Sequence, residues 1–159
     1  MRQISTHDTP ELLRLNNRYA AELSLLDTAG FNALVGVAFY AKCSPDRSAF
    51  LIAIAHTATH DSPNFCWFKN TTDKFVYVDR VAVAASAQGA GLARRLYRDL
   101  FDAAVTAGFG CVCCEINMIP PNPASDRFHR AQGFAEVGRA ELPAGNKTVR
   151  YLKKSLGAL

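Results

Sequence analysis

The segment from Phe75 to Ala107 restricts what this chain can fold into more than any other. A strand-like stretch, Phe75 to Val83, runs into a small-residue turn, Gln88-Gly89-Ala90-Gly91-Leu92-Ala93, and from there into an amphipathic helix. Period-two alternation places Phe75, Tyr77, Asp79, Val81 and Val83 on one face and Val76, Val78, Arg80 and Ala82 on the other. Both faces are largely apolar, so the strand is expected at the centre of a sheet. Leu92, Leu96, Leu100, Ala103, Ala104 and Ala107 recur at helical spacing, with Arg94, Arg95, Arg98, Asp99 and Asp102 on the wet side and Gly108 as the stop. A buried strand feeding a helix through two glycines calls for layered α/β packing. At 159 residues, with 49% hydrophobic and 20% charged, the chain has room for one such domain.

The remaining elements build out from that unit. Thr9-Pro10-Glu11 is a helix entry with Thr9 as cap, after which Leu12, Leu15, Tyr19 and Leu23 share a face. Phe31, Leu34, Val35 and Ala38 predict a second helix running into an extended stretch, in competition with a single strand from Leu34. Ser44-Pro45-Asp46-Arg47 is turn chemistry and predicts an antiparallel hairpin of Phe39 to Lys42 with Ala49 to His56. Thr57 to Asp73 reads as a loop whose Phe65, Trp67 and Phe68 serve as anchors or as the wall of a substrate pocket. Phe109 to Asn117 predicts a strand, Pro123 to Gln132 a helix closed by Gly133, and Phe134 to Arg139 and Lys147 to Lys153 two strands joined by a Pro-Ala-Gly-Asn turn. Lys147 to Lys153 is read as an edge strand, open to pairing between subunits as a homodimer.

Charge and composition exclude several classes. The net charge of +4 is spread along the chain without a basic run interleaved with aromatics, so no nucleic-acid partner is expected. The longest uncharged apolar run, Ala29 to Ala41, is shorter than the ~18 residues of a membrane span, and no membrane partner is expected. Met1 to Asp8 turns polar at once, with neither an apolar signal core nor a cleavage site, and the expected location is the cytoplasm. Five cysteines, three of them at Cys111, Cys113 and Cys114, do not space as a disulfide framework. Cys111 and Cys114 form a CxxC without a second pair, and no metal is expected.

The turn itself is a natural anion seat. Two glycines allow the backbone to approach a ligand, and the helix that follows presents unpaired N–H groups at its positive end. Arg94 and Arg95 in the first turn oppose the dipole, a penalty that a bound pyrophosphate reverses. A P-loop is excluded because no Lys-Ser or Lys-Thr follows, and the dinucleotide pattern GxGxxG is incomplete after Gly91. A plain tight turn between strand and helix remains the competing reading.

Gln88-Gly89-Ala90-Gly91-Leu92-Ala93 resembles the [Q/R]xxGx[G/A] signature of the GNAT superfamily of N-acetyltransferases. Asn122 to Phe134, NPASDRFHRAQGF, is similar to the second motif of that family. The resemblance implies one α/β (α+β) domain over residues 1–159, with a central mixed, mostly antiparallel sheet of six to seven strands flanked by about four helices. It implies acetyl-coenzyme A as cofactor, with Val81, Ala82 and Val83 along the pantetheine arm. Gln88, Gly89, Ala90, Gly91, Leu92, Ala93 and Arg94 would hold the pyrophosphate. Asn117, Asn122, Ser125 and His129 stand at the following strand-to-helix gap, where they either reach the cofactor or, for Asn122, cap the helix.

Transfer from a thioester to an amine requires a base for the amine and a proton for the departing thiolate. Glu115 is the first candidate base, resembling the strand glutamate of ribosomal-protein N-terminal acetyltransferases, with Asp79 and Tyr77 as alternatives; each carboxylate could instead serve a salt bridge. His129 occupies the place where many members carry a tyrosine that protonates the thiolate, and histidine can do so near neutral pH. Trp67 and Tyr77 are candidate contacts for the acceptor, a primary amine of a small molecule, a peptide terminus or a lysine. A cofactor-binding module without turnover is the other reading these departures keep open.

Overall fold

The computed structural model describes residues 1–142 and 147–157. The turn at Ser44-Pro45-Asp46-Arg47 behaves as its composition predicts: Asp46 Oδ1 accepts from the Ser44 hydroxyl at 2.6 Å and from the Ser48 amide at 3.2 Å, and Arg47 takes φ 59°. It joins β2 (Tyr40–Cys43) to β3 (Ala49–Ala55) as an antiparallel hairpin. With β1 (Arg2–Gln3), β4 (Val76–Val83), β5 (Cys111–Ile119), β6 (Ala135–Glu141) and β7 (Thr148–Ser155) these make a seven-stranded sheet in the order β1-β2-β3-β4-β5-β7-β6. Every neighbouring pair is antiparallel except β4 with β5. The sheet is the mixed, mostly antiparallel one expected, with β4 at its middle.

Six α-helices cover the sheet among the described residues, two more than the four expected. α1 (Thr9–Arg18), α2 (Ala20–Leu23), α3 (Thr28–Val37) and α4 (Pro63–Thr71) precede β4; α5 (Leu92–Thr106) and α6 (Pro123–Ala131) follow it. Leu12, Phe31, Phe65 and Phe68 pack with Phe75 and Tyr77 on one face, while Leu96, Tyr97 and Leu100 of α5 pack with Val76, Val78 and Val112 on the other. The segment from Leu34 is helix first and strand only from Tyr40, because Asp27 caps it by accepting from the Gly30 amide at 2.7 Å.

Four expectations are corrected. The stretch Thr57 to Asp73 is not all loop: Ser62 accepts from the Phe65 amide at 3.2 Å, Pro63 fits the first turn, and Phe65 and Phe68, three apart, bury on one side of α4. The first helix begins at Thr9 itself, with Asp8 in the cap position but making no side-chain cap bond to it, and breaks at Tyr19, whose φ of −110° and ψ of 33° are not helical. Lys147 to Lys153 is not an edge, since β7 lies between β5 and β6; the edges are β1 and β6. The argument for subunit pairing through that strand therefore falls. Finally, the alternation in β4 does not run through: Ile52 pairs with Arg80 but Ala53 with Val78, leaving Asp79 as an extra residue. Beyond this bulge Val81 and Val83 join Val76 and Val78 on the α5 face, while Ala82 joins Tyr77.

The Pro-Ala-Gly-Asn turn lies outside the described residues. Cys111 and Cys114 belong to opposite faces of β5, so they cannot grip one ion together. No helix among the described residues is long and apolar enough to cross a membrane.

Candidate active site

Parallel strands β4 and β5 pair only at Val76 with Val112 and Tyr77 with Cys113, and then part. The fork so opened is a cleft of about 430 Å³, floored by Tyr77 and Glu115 and walled by β4, β5 and the start of α6. What the β4 wall offers is backbone. Ala84 donates to the Ser48 carbonyl at 2.7 Å, so in the antiparallel alternation with β3 the hydrogen-bonded residues are Ala84, Ala82 and Arg80. The N–H and C=O groups of Val81 and Val83 consequently point away from β3, into the fork.

At the mouth of the fork lies the glycine turn. Gly89 and Gly91 take φ 83° and 75°, a region costly for any residue with a Cβ, and a Cβ at either position would meet nothing within 4 Å. Gly91 is the N-cap of α5 and supplies no side-chain cap, which leaves the first-turn amides of Leu92, Ala93 and Arg94 available to a ligand. Gln88 lines the cleft; Gly89 to Arg94 lie beyond its lining, with Arg94 and Arg95 exposed.

The floor is built of side chains from distant segments. The Tyr77 hydroxyl donates to Glu115 Oε2 at 2.6 Å. Burial, opposed by this hydrogen bond and reinforced by the charge of nearby Asp79, pushes the Glu115 carboxyl up to about 7. Tyr77 itself is held well above the ordinary phenol value by burial and by the Glu115 charge. Asp79 differs. Burial alone would raise it, but His60 Nε2 at 3.1 Å and Arg80 Nε at 2.7 Å outweigh burial and hold it below its usual value. Arg80, 8% exposed, also donates to Asn16 Oδ1 at 2.9 Å. Asp79 is thus committed to an ion-pair cluster and Glu115 is not.

On the α6 side His129 is buried, and its Nδ1 lies 2.8 Å from the Ser125 carbonyl, which can only accept. Nδ1 therefore carries the proton, and Nε2 accepts from the Tyr97 hydroxyl at 2.7 Å. Burial lowers the imidazole pKa, outweighing the Ser125 hydrogen bond, and the neutral ring is favoured. Asn122 caps α6 by accepting from the Ser125 amide at 3.1 Å, and Asn117 donates to the Ala21 carbonyl at 3.4 Å.

Of the residues singled out in the sequence, Tyr77, Asp79, Val81, Ala82, Val83, Gln88, Glu115, Asn117, Asn122, Ser125 and His129 line one cleft. Trp67 does not. It stacks on Tyr151 at 4.1 Å and covers Gly138, where a Cβ would stand 2.5 Å from the indole. Sequence reasoning missed Tyr97, His60 and Asn64, the last of which lines the cleft and hydrogen-bonds the Glu115 carboxylate. Tyr97 could have been found from its place one residue after Leu96 on the apolar side of α5; the other two carry no local signal.

The sequence matches the acetyltransferase (GNAT) family profile over residues 34–134. No curated protein matches the chain by sequence. Among solved structures, the ribosomal-protein-S18-alanine N-acetyltransferase of Escherichia coli superposes with a TM-score of 0.72 at 16% identity, covering 99% of this chain and 94% of that one. The ribosomal-protein-alanine N-acetyltransferase of Brucella melitensis gives 0.68 at 20% identity, with 98% of each chain covered. NAA60 of Arabidopsis thaliana, solved with a bisubstrate analogue, gives 0.74 at 13% identity, covering 99% and 98%. These likenesses are of fold.

Proposed function

This chain belongs to the acetyltransferase (GNAT) family, and from that premise we propose that it moves an acetyl group from acetyl-coenzyme A directly onto a primary amine held beside Glu115. The observation that carries the reading is the floor of the fork. A carboxyl group pushed up to about 7, without an ion pair among the described residues and hydrogen-bonded by Tyr77, sits where two strands part.

The residues present fit the cofactor. The backbone groups of Val81 and Val83 face the fork and can pair with the amides of an extended arm, and the Gly89–Gly91 turn with the first amides of α5 suits a pyrophosphate. Bound there, acetyl-coenzyme A supplies an activated acetyl thioester. A protonated alkyl amine has a pKa near ~10 and is no nucleophile until it loses a proton. Glu115, titrating near neutrality, takes that proton at a cost of about 4 kcal/mol, less than an ordinary carboxylate would require. In the resting site the Tyr97 hydroxyl donates to neutral His129, itself locked on Ser125; to protonate the departing sulfur it turns from Nε2 to the thiolate, and a proton from solvent then restores it. His129 thus acts through Tyr97. Asp79 keeps Arg80 and His60 in position rather than acting as base.

The bacterial neighbours are named for acting on an alanine of a ribosomal protein; what we carry over to this chain is the chemical class, a primary amine. The test is release of coenzyme A thiol from acetyl-coenzyme A across a panel of peptide N-termini, lysine peptides and small amines. Turnover with at least one class, lost in Glu115→Gln while the cofactor still binds, is expected. Tight binding with no turnover for any amine would leave a binding module instead.

A further inference from the structure

We propose that Tyr19 is a positioning residue which ties entry of the cofactor arm to the shape of the acceptor end of the cleft; the inference rests on the coenzyme A reading above. Tyr19 stands at the break between α1 and α2, half-buried against the core, with its hydroxyl reaching across to β4. That hydroxyl donates to the Val83 carbonyl at 2.9 Å and accepts from Gln88 Nε2 at 3.3 Å. Val83 is one of two β4 residues whose backbone points into the fork. Tyr19 therefore occupies an acceptor with which an extended arm carrying amide N–H groups would pair.

The chain beyond Tyr19 is fastened to the opposite wall. The Ala21 carbonyl accepts from Lys147 Nζ at 2.6 Å and from Asn117 Nδ2 at 3.4 Å. The Ser24 carbonyl accepts from Asn16, which Arg80 holds in turn. Residues 19–24 thus form a strap from β4 to β5 and β7, and Glu22, Leu23 and Ser24 line the cleft beneath it. Ser24 takes φ 67°, so this is a bent strap held by its attachments rather than a relaxed helix end. An arm that takes the Val83 carbonyl frees the Tyr19 hydroxyl and releases the start of the strap, while the Ala21 and Ser24 carbonyls keep their attachments. The acceptor end then takes its working shape after the cofactor arm has entered.

The experiment compares calorimetric binding of coenzyme A and of adenosine 3′-phosphate 5′-diphosphate, its nucleotide half without the arm, to the wild type and to Tyr19→Phe. Removing one competing hydrogen bond is expected to tighten coenzyme A binding about two- to tenfold, with the nucleotide half bound equally by both. Amide hydrogen exchange across residues 19–24 should quicken on adding coenzyme A to the wild type and change less in the variant. Equal or weaker coenzyme A binding by Tyr19→Phe overturns the inference while leaving the cofactor reading intact. Failure of the wild type to bind either compound overturns both. The nucleotide half also reports that the variant is folded.

Discussion

The two ends of the cleft are built on opposite principles. The mouth is backbone: Gly89, Gly91 and the first turn of α5 offer N–H groups, with Arg94 exposed and Leu92 turned to the core. The floor is side chains: Tyr77, Glu115, Asp79 and Arg80, drawn from two strands and tied to α1 and to the loop before α4. A ligand's charge is met at the mouth by fixed partial charges that do not titrate, whereas the floor holds a carboxyl whose protonation is set by its surroundings. On the proposed function, cofactor binding belongs to the mouth and control by pH to the floor.

The largest effect is expected from Glu115→Gln. It should lower kcat by about 10² or more, the usual weight of a positioned base, and remove the rise in rate as pH climbs through about 7. Binding at the mouth should be unchanged. A Gln variant that kept both its rate and its pH dependence would unseat the floor as the chemical end.

The same substitution makes a stability prediction. The folded pKa of Glu115, about 7, lies above its ordinary 4.5, so its burial contributes fully below pH 4.5 and that contribution is lost as pH rises through 7. Glu115→Gln should match the wild type in acid and exceed it above pH 7 by about 2 kcal/mol, allowing for water in the cleft. Denaturant melts at pH 4.5 and 8 measure the difference.

Gly91→Ala tests the mouth. Its Cβ meets no neighbour, so the cost is backbone alone, about 1 kcal/mol for φ 75°. Relaxing that strain should move the first-turn amides and weaken coenzyme A binding about tenfold, the factor that 1.4 kcal/mol represents, while the pH midpoint stays near 7. A shifted midpoint would mean that the two ends are not independent.

The smallest effect is expected from Tyr77→Phe. Losing the hydrogen bond that stabilises the carboxylate should move the pH–rate midpoint above 7, and lower the rate at pH 7 a few-fold, with saturating rates at high pH retained. A downward shift would contradict the balance of burial and hydrogen bonding argued for Glu115.

The mouth was legible because its rules are local. Gln88 to Ala93 state a turn within six residues, and a left-handed glycine before an amphipathic helix has few alternatives. The hairpin at Ser44 to Arg47, the central place of β4 and the capping role of Asn122 follow from the same short-range chemistry. The floor was legible only in its membership. Tyr77, Asp79 and Glu115 could be named as candidates, but nothing local shows that His60 and Arg80 hold Asp79, or that Tyr77 donates to Glu115. Trp67 illustrates the reverse error: an aromatic in a polar stretch suggested a pocket wall, and the helix it belongs to turns it onto Tyr151 and Gly138.

His129 and Tyr97 mark the boundary most clearly. The motif around Asn122 to Phe134 set the position of the histidine, while its tautomer, burial and partner come from a residue 32 positions away on another helix. The strand–turn–helix unit, the fold class and the list of polar groups from which a site could be drawn were all readable in the sequence. Only the tertiary structure decided that a bulge at Asp79 inverts the faces of β4, that β7 is interior, and that Glu115 rather than Asp79 is left without a cation. The physical reason is that turn and helix preferences act over a few bonds. Burial, ion pairing and the pKa values that follow depend on what the fold brings within a few ångströms from elsewhere in the chain.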